Sequence, residues 1–237
     1  MNRLCIATRG IASWRERLAS PDRQWKRRFS AFETAVSWEL ASNSKSGLPG
    51  PIEKLFRESN YCDPLLVFAV AEHKVDLPGG NAASQSDVWA VVSTSSGMLS
   101  LTVEAKSKEA FGDEILEKWL VAGATEESKS NRQKRFDYVC SHLPKSDSFL
   151  QVRYQMLHRC AASVIEAKRF GFKRAAFIVQ AFETPANGFQ DYAIFCQALK
   201  IPAARGSMAT TSVNGISLSV GWADCPLATD HEVAATA

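Results

Sequence analysis

Hydrophobic positions recur along this chain with two different periods, and the switches between them outline the expected elements. Trp25, Phe29, Phe32, Val36 and Leu40 fall at helical spacing behind Ser20-Pro21, a start signal with proline at the first helical position. A helix is therefore expected over 21–40, and a short one over 52–58 after a polar, Gly/Pro-containing break. The period then changes. Leu65-Leu66-Val67-Phe68-Ala69-Val70 reads as a buried strand within 64–75, followed by a loop over 77–85 that contains Pro78-Gly79-Gly80. Strands are expected over 87–95 and 98–106, joined by the turn Ser95-Ser96-Gly97 into a hairpin. Helical spacing returns over 113–121, 131–143 and 149–170. A strand is expected over 174–182, a helix over 189–199 and a late alternating strand over 216–222. Helices flanking a sheet make a mixed α/β domain, expected to span residues 1–226. The small, polar stretch 227–237 is expected to be a disordered tail.

Composition narrows the class. The 237 residues are 46% hydrophobic and 22% charged, which excludes collagen-like, disordered and coiled-coil chains. The longest uncharged apolar run, at 65–71, is far below the roughly 20 residues that span a bilayer, so no membrane partner is expected. The N-terminal apolar stretch at 4–7 is too short for a signal peptide. The six cysteines show no CxxC spacing, and Cys160 and Cys196 sit in apolar surroundings. A reduced, cytoplasmic protein is the expectation. Net charge is only +3, from 28 basic and 25 acidic residues. The basic residues are nevertheless grouped: Arg15, Arg17, Arg23, Lys26, Arg27 and Arg28 in one stretch, and Lys129, Arg132, Lys134 and Arg135 in another. Such runs are ordinarily solvated helix faces, and they also suit a phosphate backbone.

The residues richest in chemistry lie on the hairpin. In Leu99-Ser100-Leu101-Thr102-Val103-Glu104-Ala105-Lys106, alternation puts Leu99, Leu101, Val103 and Ala105 on one face. Glu104 and Lys106 then project side by side on the other. Asp87 opens the preceding strand, and hairpin pairing brings it toward Glu104. Two carboxylates and a lysine on adjacent strands suit metal-assisted phosphodiester hydrolysis. Hard oxygen ligands hold Mg²⁺, and a lysine orients water or stabilises the developing charge. The plainer reading of Glu104 and Lys106 is an ion pair on an exposed sheet face, contributing under about 1 kcal/mol. Competing chemistries lack their motifs. There is no Gly-x-Ser-x-Gly elbow, P-loop, GxGxxG turn or His-x-x-x-His pair. Glu72-His73 reads as a surface pair at a strand end, and Glu109 as the cap of the helix starting near Asp113.

On Asp87, Glu104-x-Lys106 and the helix–three strands–helix–strand order, the chain resembles the PD-(D/E)XK nuclease superfamily. It departs from that pattern at Ser86, where the superfamily carries a proline. Ser30-Ala31-Phe32-Glu33, Val103-Glu104-Ala105-Lys106, Phe111-Gly112 and Arg153-Tyr154-Gln155 resemble, more closely, an uncharacterised bacterial family with this core. The resemblance implies a restriction-endonuclease-like αβββαβ core with a central mixed sheet, and cleavage of nucleic acid, DNA in the first place, with Mg²⁺ or Mn²⁺. Asp87 and Glu104 would hold the metal, with Glu33 from the first core helix as a further ligand in preference to Glu39. Lys106 would position the water. Arg153 and Gln155, at the start of the long helix, would contact the substrate backbone. Many such nucleases act as dimers, so a homodimer is also implied. Two other classes stay open: the same fold as a non-cleaving module that binds nucleic acid or a protein, and a small-molecule α/β protein in which Asp87, Glu104 and Lys106 do not converge.

Overall fold

A computed structural model describes residues 8–59, 61–112, 114–123 and 125–236. In chain order the elements are α1 (Ala12–Arg15), α2 (Pro21–Gln24), α3 (Ser30–Ala41), α4 (Gly50–Arg57), β1 (Leu65–Val75), β2 (Ser84–Thr94) and β3 (Gly97–Lys106). There follow α5 (Leu116–Val121), α6 (Glu126–Cys140), a 3-10 turn at Phe149–Gln151, α7 (Tyr154–Phe170), β4 (Arg174–Phe182), α8 (Ala186–Ala198), β5 (Met208–Val213), β6 (Ile216–Cys225) and α9 (Asp230–Thr236).

The strands form one mixed sheet in the order β1-β2-β3-β4-β6-β5. β1, β2 and β3 are an antiparallel meander; β4 lies parallel to β3 and to β6, and β5 closes the far edge antiparallel to β6. Alternation sorts the side chains into two cores. Leu99, Leu101, Val103 and Ala105 of β3 join Ala176 and Ile178 of β4 against α3 and α4. Phe177, Val179, Leu218, Val220 and Trp222 point the other way, against α7 and α8. Each large side chain buried this way contributes about 1.5–3 kcal/mol. Cys160, Cys196 and Cys225 are buried free thiols, Cys62 is exposed, and Cys5 lies outside the described residues.

Several boundaries differ from the periodicity, each for a local reason. The helix expected over 21–40 is two helices. Arg28 takes a left-handed φ of 66° and Phe29 is extended, which breaks the turn before α3. The helix expected from 149 begins as a 3-10 turn, and Arg153 has non-helical ψ, so α7 starts at Tyr154. α6 starts five residues before the expected 131, where the Thr125 side chain accepts the Ser128 N–H at 3.1 Å. α5 starts at Leu116; the expected first residue, Asp113, lies outside the described residues. β1 is an edge strand rather than a buried one, and Leu65, Val67 and Phe68 are exposed. β5, with the sequence Met-Ala-Thr-Thr-Ser-Val, carries no strong alternation and was not expected. In place of a disordered tail, residues 230–236 form α9, which packs on α3. Among the described residues no helix is long and apolar enough to cross a membrane.

The 77–83 loop is held against α6. The Arg135 guanidinium donates to the carbonyls of Pro78 (3.1 Å) and Gly80 (3.3 Å). Gly79 has φ +77°, and a Cβ there would lie 2.0 Å from the Asn131 carbonyl oxygen. Gly79→Ala is therefore expected to cost about 2 kcal/mol or more. Urea unfolding measures this; an unchanged midpoint would contradict the close approach.

Candidate active site

The hairpin register puts three carboxylates at one level of the sheet. β1–β2 pairing runs through Ala71↔Val88 and His73↔Ser86 and skips Glu72 and Asp87 between them. Glu72 itself adopts φ 56°, a left-handed conformation that costs a non-glycine residue energy within a strand. β2–β3 pairing stops at Val88↔Val103. Beyond it the Asp87 Oδ2 accepts the Ala105 N–H at 2.6 Å, so a side chain replaces the ladder bond. The sheet opens there, while β3 stays paired with β4 as far as Lys106↔Ala181. The opening is a cleft of about 520 Å³, walled by residues around α2, the start of α3, the ends of β2 and β3, and α7.

Glu104 sits at its floor, 2% exposed. Its Oε1 accepts from Lys106 Nζ at 2.7 Å and its Oε2 from Arg159 Nε at 2.7 Å. Lys106 is also buried, so the pair is not the exposed surface ion pair that was the plainer expectation. Burial disfavours the Glu104 charge, but Lys106 and Arg159 outweigh it and hold its pKa below the ordinary carboxylate value. Burial likewise opposes the Lys106 charge, and Glu104 and Asp87 override it to push that pKa up. Asp87 goes the other way. Burial, then the neighbouring Glu104 and Glu72, raise it well above its usual value. Burial and Glu104 also lift Glu72 to about 7, against the Gln85 amide that donates to its Oε2 at 2.6 Å. One acid held toward its ionised form beside two pushed toward their protonated form is an acid–base arrangement.

Asp87, Glu104, Lys106 and Gln155 all line this cleft, as sequence reasoning anticipated for one site. Glu33 does not join them. Its carboxylate takes the Arg28 N–H on Oε1 (2.7 Å) and the Ala228 N–H on Oε2 (2.7 Å), and its side chain lines a different cleft beside α4 and residues 225–228. The expected metal ligand is an anchor for the turn before α3 and for the C-terminal segment. Glu39 is occupied by the Trp14 indole N–H at 2.7 Å. Arg153 pairs with Asp191 of α8 at 3.1 Å and is absent from the cleft lining. Glu109 does not cap α5, which begins seven residues later without a side-chain cap; it lines the cleft instead.

Two residues escaped the sequence reading. Glu72, expected in a surface pair at a strand end, lines the cleft, with a left-handed backbone. Arg159 lies one helical turn after Gln155, so both share one face of α7, and that spacing could have found it. Next to it the His158 imidazole is held well below its usual pKa by burial and by Arg159 and Arg135, and its Nδ1 lies 2.8 Å from Ser84 Oγ. The basic clusters are largely committed. Arg15 pairs with Asp22, Arg27 with Asp230, Arg28 with Glu183 and Lys129 with Glu126, while Arg23 lines the cleft.

Among the described residues no three His, Cys, Asp or Glu side chains are arranged as a metal-ligand group. Asp87 and Glu104 remain a two-carboxylate set of hard oxygen donors. That fits Mg²⁺, which takes one or two protein carboxylates and completes its shell with water and substrate phosphate.

Fold and site together define an α/β protein whose mixed six-stranded sheet, flanked by helices, encloses an acid–base cluster where two strands part. Residues 7–226 match the family described as Domain of unknown function (DUF6946), and the chain belongs to that family. No curated protein and no solved structure matches the chain.

Two outcomes follow from the geometry. An acid whose folded pKa is raised binds more protons folded than unfolded between the two values, so stability falls as pH rises through that window. For Glu72 the window runs from about 4.5 to about 7. Glu72→Gln should therefore flatten the decline of Tm across that range and be the more stable protein above it; parallel Tm profiles would refute the assignment. Glu33→Gln leaves one buried N–H facing an amide donor and should cost about 1–3 kcal/mol in denaturant unfolding. Cation binding by the same variant should be unchanged, and a loss of it would restore Glu33 as a ligand.

Proposed function

We propose that this protein is a divalent-cation-dependent nuclease with a restriction-endonuclease-like core. The observation that carries the reading is the convergence of Asp87, Glu104 and Lys106 in one cleft. The order α3-β1-β2-β3-α7-β4, with β4 parallel to β3, supports it. Asp87 and Glu104 would hold Mg²⁺ or Mn²⁺. A cation bound there supplies charge neutralisation at the phosphate and makes water more acidic. Lys106 keeps a fixed positive charge beside the reacting phosphate and donates toward the attacking water or the developing oxyanion. The Asp87–Ala105 bond fixes one carboxylate against the strand that carries the other two groups. Gln155, on the facing helix, reaches the same cleft and suits a contact to the substrate backbone. The substrate is nucleic acid, with DNA the first to test.

One observation favours a second reading. Both Glu104 oxygens are already matched by Lys106 and Arg159, as in a module that binds nucleic acid or a protein without cutting it.

Incubation with panels of DNA and RNA in Mg²⁺ and Mn²⁺ separates the two. Cleavage by the wild type should fall at least about a hundredfold in Lys106→Ala and in Asp87→Asn. Asp87→Asn is the cleaner variant, because an amide oxygen still accepts the Ala105 N–H and the fold is kept. Binding without cleavage, unchanged in Glu104→Ala, would establish the non-cleaving module instead.

A further inference from the structure

We propose that Arg159 exchanges partners: its guanidinium matches Glu104 in the cation-free protein and moves to a phosphodiester oxygen when a divalent cation takes Glu104, so that cation and nucleic acid bind cooperatively. The inference rests on the nuclease reading and adds how its cleft is loaded.

Glu104 offers two oxygens, and each holds a cationic side chain at 2.7 Å. Each oxygen keeps a second lone pair, but a divalent cation drawn onto it would stand beside a positive side chain at hydrogen-bond distance, and that repulsion favours the departure of one partner. Lys106 is the harder to move. It stands on the same strand two residues away, its carbonyl accepts from Thr184 Oγ1 at 3.0 Å, and its ammonium lies 5.4 Å from the Phe111 ring centroid. Arg159 comes from α7 on a long side chain. A second hydrogen bond, from Nη1 to Ser84 Oγ, is a long 3.4 Å. The guanidinium lines the cleft beside Gln155, whose buried Oε1 has no hydrogen-bond partner. Once released, a planar fork of N–H donors suits phosphate oxygens.

Charge balance points the same way. The carboxylates of Glu72, Asp87 and Glu104 face Lys106 and Arg159. A divalent cation adds positive charge to a cleft that already holds two cationic side chains. A phosphodiester group offsets part of that charge. Cation and substrate then assist each other's binding, and linkage makes the effect reciprocal, with typical couplings of about 5- to 150-fold.

The direct test follows the Arg159 Nε–H and the cleft carboxyl resonances by NMR while Mg²⁺ is added to the wild type. Expected is a shift of the Arg159 resonance at the same Mg²⁺ concentrations that shift Asp87 and Glu104. Carboxyl shifts with an unmoved Arg159 overturn the partner exchange and leave the cation site standing. Unmoved carboxyls overturn the cation site, and the nuclease reading with it. Calorimetry adds the energetic side. Arg159→Gln should bind Mn²⁺ about fivefold tighter or more, and should lose the Mn²⁺ dependence of oligonucleotide affinity seen in the wild type. A coupling retained in Arg159→Gln would contradict the proposal. Arg159→Lys keeps the charge and covers the case in which the glutamine variant fails to fold.

Discussion

Glu104 is almost wholly enclosed, and an isolated carboxylate in that position would cost far more than the fold can supply. Its charge must be matched from inside, and the surrounding structure meets that demand. The alternation of β3 places Lys106 on the same face, two residues on. The packing of α7 over the sheet brings Arg159 to the second oxygen. The same alternation sends Leu101 and Val103 into the opposite core, so the ion pairs and the apolar packing depend on one register. A slip of one residue would reverse both.

That constraint also explains where the sheet opens. Asp87 stands on the neighbouring strand at the level of Glu104 and cannot be a third unmatched charge. It satisfies a backbone N–H that would otherwise belong to the ladder, and its raised pKa lets it carry a proton. Glu72, on β1, accepts the Gln85 side-chain amide instead, and its pKa is raised as well, at the expense of a left-handed backbone. A packed interior would exclude such a row of acids. Its retention beside a lysine and an arginine is the main physical argument that the cleft handles charge. The proposed ligands, a polyanion and a cation, are ones whose charges would complement it.

Much of this was legible in the amino-acid sequence, and the remainder fails for identifiable reasons. The hairpin, its turn and the facing of Glu104 and Lys106 follow from period-two alternation, which the backbone obeys. β4 coincides with its expected span because Ala-Ala-Phe-Ile-Val is buried on both faces. Glu33 was misassigned because a position beside an apolar stripe does not reveal that two distant N–H groups, one of them 195 residues away, claim its oxygens. Glu72 was missed because a charged pair near a strand end suggests the surface, and no residue type there marks a left-handed position facing the cleft. Arg159 was missed because attention to the apolar face of α7 passed over the polar face that Gln155 had already marked. The β1 edge strand looked buried because hydrophobicity does not tell an edge from a centre.

The central claim is that Glu72, Asp87 and Glu104 share one electrostatic unit with Lys106 and Arg159. A carbon-13 NMR titration of the carboxyl groups tests it most directly. The account predicts that Glu104 ionises below the ordinary carboxylate range while Asp87 keeps its proton well above it. Three independent titrations in the ordinary range would contradict it, and the cleft would then be a solvated surface without the charge arrangement its proposed chemistry needs.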